Sequence, residues 1–321
     1  MNLFPVLHAT GFSPSKRFTD FVYGYQETEN AGVIAGRGNA LESPDGQMAL
    51  ADAVEDYAPQ LLELADAIRG IVATGAGAVL LQGLGFERAA ETQGEAMRDT
   101  LVLALTSAIG EPTDHCADKR VLWPVKQRPV AAGKKATFSE DLGEAPLHTD
   151  SAFAREPERY NALYVVRRSN CGGGKSVTVN GPRFLRDFAR TPQGSDCIRF
   201  MRETDYAFRV PDAFFTGERF IISRILSDDP VIRFRHDCIE MGFDLCPGFA
   251  TEQHRFYYSL FRKSVEAHTS RSEFMMSDGD MVVFDNTRLF HARTHYQDPA
   301  RHLIRVRMRE RQAVGALRLA A

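Results

Sequence analysis

Residues 145–153 read APLHTDSAF, with a histidine and an aspartate two positions apart. In a β-strand, residues i and i+2 point to the same face. A strand here turns His148 and Asp150 toward one ion and Thr149 away from it. A neutral imidazole with one carboxylate suits a borderline divalent metal. Two ligands make no site by themselves, and the same pair also fits a polar edge strand. The sequence beyond it supports a strand. Short β-rich runs separated by turn residues dominate from here on: YNALYVV (160–166), KSVTVNG (175–181), RFIISRIL (219–226), PVIRFRH (230–236), DMVVFD (280–285) and RHLIRVRM (301–308). One amphipathic helix, about 251–269, interrupts them.

Upstream the pattern differs. Residues 20–47 are rich in Gly, Glu, Asn and Ser and read as loop. From Met48, apolar residues recur at three and four positions (Leu50, Val54, Tyr57, Leu61, Leu64, Ala65, Ile68), which predicts a helix with one apolar face. GAVLLQGLG (77–85) reads as a short buried strand closed by glycine. Residues 87–110 read as a second helix, stopped at Gly110 with Pro112 beyond. Helices early and strands late predict a mainly β protein with helical decoration, its barrel or sandwich core covered by a helical layer. No repeat or strong linker divides the chain. It reads as one domain over 1–321, with an N-terminal extension and helix (1–74) and a core with an inserted helix (75–310).

The 321 residues are 44% hydrophobic, ample for a sizeable core, and the formal net charge of −3 argues against a nucleic-acid partner. No apolar run approaches the length of a membrane span, and the first residues lack the basic-then-apolar order of a secretory signal. Cys116, Cys171, Cys197, Cys238 and Cys246 show no CxxC spacing and read as reduced thiols of a cytoplasmic protein. These features are compatible with a homo-oligomer.

A metal site needs a third ligand. Among nine histidines, His8 is terminal, His115 sits in a loop beside Asp114, His236 lies in a predicted strand, and His254 and His268 lie on the amphipathic helix. All of these read as structural or surface residues. His291 differs: an apolar strand (281–284) ends at the turn-forming Asp285-Asn286, and a short apolar step, Leu289-Phe290, then presents the imidazole. Open metal sites are often built in loops at the mouth of a barrel. His295 and His302 compete with it on spacing alone.

LHTDSAF, GGGKS, FDNTRLFHART and RHLIRVRM, in that order, resemble the iron(II)- and 2-oxoglutarate-dependent dioxygenases of the taurine dioxygenase (TauD/TfdA) type, which include the clavaminate synthase-like oxygenases. The family pattern is His-x-Asp/Glu, a long interval, a second His, and an arginine some 14 or 15 residues later. The resemblance spans roughly 75–310 and implies a double-stranded β-helix (jelly roll) core flanked by helices. It makes His148, Asp150 and His291 the metal ligands, a facial triad that leaves three positions open. Arg301, Arg305 and Arg307 share one strand face, so alternation cannot choose among them. The family spacing points to Arg305 as the partner of the distal carboxylate of 2-oxoglutarate. A guanidinium suits that task, because its planar fork donates two parallel hydrogen bonds. Ser176, where the family usually has threonine, is the second group implied for that carboxylate. The GGGKS run also resembles the end of a phosphate-binding loop. However, Ser169 stands where the first glycine is required and a strand follows where a helix is needed, so nucleotide binding is rejected.

The resemblance implies Fe(II), 2-oxoglutarate and O₂ as cofactors, and a small-molecule substrate hydroxylated at an unactivated carbon while 2-oxoglutarate becomes succinate. Asp150 stands where the family's halogenases have a small residue, which argues against halogenation. Desaturation or cyclisation in natural-product biosynthesis stays open. Similar oxygenases accept amino acids or related acids, so that class is the expected substrate. Ser139 and Glu140, before the first motif, and Arg293, after the second histidine, are candidate substrate contacts. Segments 134–146 and 203–218 are candidate lids. Two readings of other kinds compete. One is a metal-dependent hydrolase or isomerase on a barrel, opposed by the downstream arginine and the Gly-Gly-x-Ser segment. The other is a catalytically dead small-molecule binder, opposed by the complete triad.

Overall fold

The structure is a computed structural model and describes residues 4–30, 40–114, 120–129, 137–215, 217–227 and 231–311. Its larger sheet has the strand order β1 (Val6–His8), β2 (Ala78–Gln82), β11 (Met281–Asp285), β6 (Tyr160–Arg167), β13 (His302–Arg309) and β3 (Glu111–Thr113), with β4 (Trp123–Val125) also on β13. The smaller sheet runs β10 (Arg271–Phe274), β7 (Ser176–Asn180), β12 (Leu289–Arg293) and β5 (Ala145–His148). All neighbours are antiparallel except β1 and β2. Among the described residues no ladder joins the two sheets, so the expected jelly roll stands here as two separate sheets.

Alternation assigns the two faces of the larger sheet. Val79, Leu81, Met281, Val283, Ile304, Val306 and Met308 pack into one apolar cluster with helices α1 (Lys16–Asn30), α2 (Pro44–Tyr57), α3 (Pro59–Ile71), α4 (Phe86–Gln93) and α5 (Glu95–Ile109). Ala78, Leu80, Val282, Phe284 and Leu303 turn the other way and meet Phe274 and Leu289 of the smaller sheet. A second helical layer, α6 (Gly181–Phe188), α7 (Pro192–Glu203), α8 (His236–Leu245) and α9 (Glu252–Glu266), shares a third cluster with Val179 and Phe290 of the smaller sheet. Helix therefore outweighs strand, and the expectation of a mainly β protein is corrected to a mixed α/β one.

The other differences have local causes. The segment 20–47, read as loop, contains most of α1; Phe18 and Val22, four apart, are both fully buried. Residues 31–39 lie outside the described residues. The helix expected from Met48 is two, because Pro59 starts α3 at a position where its missing N–H costs nothing. The helix expected over 87–110 is also two, divided at Gly94 with φ 91°. Residue 230 lies outside the described residues; over 231–236 there is no strand, only a bridge between Leu226 and Ile232, and His236 opens α8. RFIISRIL contributes β9 (Phe220–Arg224), which pairs only with β8 (Asp205–Arg209), outside both sheets. No helix among the described residues is long and apolar enough to cross a membrane.

Gly242 lets α8 lie directly on β8, since a Cβ there would meet the Ala207 carbonyl oxygen at 1.8 Å. Gly242→Ala is expected to destabilise the fold by about 1–3 kcal/mol, as overpacking does. The midpoint of urea unfolding measures it, and an unchanged midpoint would show that the contact relaxes freely.

Candidate active site

β12 and β5 are antiparallel neighbours whose register sets His291 opposite His148. Their ring centroids are 4.2 Å apart. Cross-strand pairing thus brings together two imidazoles far apart in sequence. Asp150 arrives by another route than strand alternation. β5 ends at His148, and Asp150 lies in the turn that follows. Thr149 fixes this turn from one side: its N–H donates to the Phe234 carbonyl (2.7 Å), and its hydroxyl accepts from the Phe234 N–H (2.9 Å). Asn286 fixes it from the other. Its side-chain oxygen accepts from the Asp150 N–H (2.8 Å), and its amide donates to the carbonyls of Asp150 (3.0 Å) and Glu158 (2.9 Å). Ser151 then takes φ 55°, a conformation rare for a residue with a side chain.

One ligand atom each from His148, Asp150 and His291 fall within 4.8 Å of one another, and this is the cluster of metal-competent side chains found among the described residues. His148 Nε2 is 3.6 Å and His291 Nε2 3.9 Å from the Asp150 carboxylate. The carbonyl of Pro146 can only accept, so at 2.8 Å it requires the proton on His148 Nδ1 and leaves the Nε2 lone pair facing the aspartate. Burial above all, with His148 beside it, pushes the His291 pKa down to about 3, which keeps its imidazole neutral and able to ligate. Burial acts against the charge on Asp150. The Arg305 guanidinium and the imidazoles override it, holding the carboxyl well below its ordinary range. Asn161 donates to Asp150 Oδ2 at 2.8 Å and Arg305 Nη1 at 3.1 Å, which leaves Oδ1 the less encumbered oxygen. Two imidazole nitrogens and one ionised carboxylate suit divalent iron.

The recess that holds these residues is also lined by Ser139, Ser176, Arg293, Arg301 and Arg305; a second recess, which shares Asp150 with it, is lined by Phe138, Ser139, Phe153, Arg235, Arg305 and Arg307. Arg301 is 4% exposed and lies over the Tyr296 ring. Its Nη1 has no hydrogen-bond partner, and no carboxylate lies within ion-pair distance of it among the described residues. Burial, and then Arg293, push its pKa down to about 10. The glycine run explains the close fit. A Cβ at Gly173 would strike the His295 carbonyl oxygen at 2.3 Å, and one at Gly174 (φ 76°) would crowd the Arg301 guanidinium at 3.0 Å.

The remaining candidates fall into place around this centre. Ser176 and Ser139 line the first recess, and Ser139 lines the second as well. Glu140 folds back on its own loop, accepting from the Thr137 N–H and hydroxyl, with Arg128 at 3.6 Å. Arg293 donates to the carbonyls of Phe138, Asp141 and Gly143, so it suspends the loop before β5. Of the lid candidates, 134–136 lie outside the described residues, as does His115, and 203–218 holds β8 and a short helical turn. Sequence reasoning overlooked Asn161, Asn286 and Arg235. The first sits on an apolar strand, the second in a turn, and the third in a run taken for a strand.

Residues 231–307 match the family model described as taurine catabolism dioxygenase TauD, TfdA family. No curated protein matches the chain at the sequence level. Among solved structures, the chain is similar to an asparagine oxygenase in complex with Fe(II), 2S,3S-3-hydroxyasparagine and succinate (TM-score 0.68, 16% identity, covering 94% of this chain and 93% of that one). It is also similar to the non-haem iron oxygenase OrfP in complex with Fe and alpha-ketoglutaric acid (TM-score 0.63, 16% identity, 96% and 95% covered). A further OrfP complex, with Fe, succinate and (3S)-hydroxy-L-Arg, matches at TM-score 0.63 and 16% identity, covering 96% and 94%. At such identities the likeness is one of fold.

Asn161 is expected to hold the liganding carboxylate in place. Asn161→Ala should weaken iron(II) binding by about 10–100-fold, the usual effect of losing a partner behind a ligand. Competition with a chromophoric chelator under nitrogen measures it; unchanged affinity would show that the Arg305 contact alone fixes Asp150.

Proposed function

We propose that the chain is an Fe(II)- and 2-oxoglutarate-dependent oxygenase of the TauD, TfdA type, which its residues 231–307 match, and that it oxidises an unactivated C–H bond of a small polar metabolite, an amino acid or related acid. The observation that carries this reading is a His-Asp-His cluster flanked by buried arginines at one site. Iron(II), 2-oxoglutarate and O₂ together supply the oxidant for such a carbon, with succinate and CO₂ as co-products.

The side chains bind, orient and enclose. His148, Asp150 and His291 would hold the iron. The second carboxylate of 2-oxoglutarate needs a buried cation. Family spacing favours Arg305 for it, whereas the geometry favours Arg301 with Ser176. Among the described residues Arg301 has an unpartnered Nη1 and no acid within ion-pair distance, while Arg305 is already engaged with Asp150. Arg305 borders both recesses and suits the carboxylate of an amino-acid substrate. Phe138 and Phe153 wall the second recess and exclude water from it. The solved neighbours hold hydroxylated asparagine and hydroxylated arginine, which supports the amino-acid class and hydroxylation as the outcome.

Incubation with iron(II), 2-oxoglutarate, O₂ and a panel of free amino acids and related acids is expected to release succinate only with a substrate present. The product should gain one oxygen in mass; a loss of two hydrogens would indicate desaturation or cyclisation instead. Turnover of a panel member under nitrogen without 2-oxoglutarate would overturn the proposal in favour of a hydrolase or isomerase. Arg301→Gln is expected to raise the KM for 2-oxoglutarate about tenfold or more, with a smaller change for substrate. Arg305→Gln should do the reverse. The opposite pattern would return the anchor role to Arg305.

A further inference from the structure

The recess lined by Phe138 and Phe153 is rich in positive charge. Arg235, Arg305 and Arg307 line it, and Asp150 is the acid among its described lining residues. Arg235 and Arg307 are 6% and 4% exposed, so these guanidinium groups belong to the interior rather than to a solvated surface. Arg307 is tied down from behind: Nη1 lies 2.6 Å from the Ser151 hydroxyl and 3.7 Å from Glu158. Arg235 is held differently. Its guanidinium lies 4.7 Å from the Phe138 ring centroid and 5.4 Å from that of Phe153, so two aromatic faces fix its plane. Its Nε and Nη2 donate to Asp237, whose side chain is 39% exposed and therefore sits on the solvent side. A guanidinium has five N–H donors in a rigid fork, and Asp237 engages those of one edge.

Electrostatics then selects the substrate. Three guanidiniums line the recess, and Asp237 and Glu158 counter Arg235 and Arg307 from outside it while Asp150 is committed to the metal. A substrate with a cationic side chain would be repelled here. A neutral amide offers the fork of Arg235 one acceptor oxygen, whereas a carboxylate matches it with two parallel charge-assisted hydrogen bonds. A second carboxylate on the substrate is therefore the better fit. Resting on the functional reading above, we infer that this enzyme accepts a small amino acid with a carboxylate side chain, and that Arg235 is the specificity residue that holds it. The substrate's α-carboxylate meets Arg305, and its side-chain carboxylate meets Arg235 between Phe138 and Phe153. This sets the chain apart from solved neighbours that hold asparagine and arginine products.

The test has a binding arm and a turnover arm. Calorimetry on the iron(II)- and 2-oxoglutarate-loaded protein under nitrogen compares L-aspartate, L-glutamate and L-2-aminoadipate with L-asparagine, L-glutamine, L-arginine and L-lysine. Malonate and glutarate serve as dicarboxylates without the amino group. The same panel is then assayed for succinate release in air. The acidic amino acids should bind at least about tenfold more tightly than the neutral or cationic ones, and they alone should stimulate succinate release. Tighter binding of glutarate than of the acidic amino acids would overturn the amino-acid part of the inference. Arg235→Gln should raise the KM for the acidic substrate at least about tenfold and leave the KM for 2-oxoglutarate unchanged. Arg235→Lys, which keeps the charge and the fold, should lose less. Succinate release driven only by neutral or cationic amino acids would overturn the inference and leave the oxygenase reading standing. Tight binding of an acidic amino acid without any succinate release would do the opposite. Binding of none of the panel would overturn the inference.

Discussion

A carboxylate buried as deeply as Asp150 is costly unless other groups meet its charge, because the interior cannot solvate it as water does. The groups that meet it come from separate parts of the fold. Asn161 and Arg305 reach it from β6 and β13 of the larger sheet. His148 and His291 stand beside it on the smaller sheet. Its backbone is held by Asn286, in the turn between β11 and β12. Both sheets must therefore pack in one relative position for the charge to be satisfied. The hydrogen bonds that keep the aspartate ionised are the same ones that orient it as a ligand. Structure and site are not separable here, and a change that loosens either sheet is felt at the metal position.

One strand shows how pattern becomes function. In β13 the residues Ile304, Val306 and Met308 face the helices, and Leu303, Arg305 and Arg307 face the smaller sheet. An apolar row on one side fixes the strand against the helical cluster, and this rigidity positions the charged row on the other. Long arginine side chains on a loop would lose more entropy on ordering than those held by a packed strand. Arg301 precedes the strand, where the ladder shifts register between His302 and Leu303. That irregularity breaks the alternation, which is why a strict period-2 reading grouped Arg301 with Arg305 and gave no way to separate them.

How much of this was legible in the chain depended on whether the signal was local. The run Met281–Asp285 and the ladder Ser176–Asn180 follow from β-branched and aromatic residues between turns. The two histidines and the aspartate stood out through motif and spacing, although the reason for their convergence did not: Asp150 is placed by a turn, not by a strand. Nothing local announces α8, because Ile232, Arg233, Phe234 and Arg235 alternate in the way a strand does and the helix begins at His236 only when Cys238, Ile239 and Phe243 find the apolar cluster of α7 and α9. Arg235 was hidden for the same reason. Its neighbours in space, Phe138 and Phe153, belong to segments more than eighty residues away in sequence. The helical divisions at Pro59 and Gly94 were visible as residues, but apolar periodicity ran straight through them.

The loop before β5 connects these levels. Arg293, two positions after the liganding His291 on β12, donates to three carbonyls of that loop, so the strand that supplies a metal ligand also suspends the loop. The loop in turn carries Ser139 into both recesses and lays Phe138 against His148 and Arg235. A buried guanidinium spent on backbone carbonyls looks wasteful beside a site that needs cations. It makes sense if the loop's position is what matters. Phe138 can stiffen the guanidinium of Arg235 only while its own backbone is held, and Arg293 holds it through the Phe138 carbonyl. Arg293, a candidate substrate contact, lines the first recess and also keeps the loop that carries Phe138 and Ser139 in register with the metal ligands.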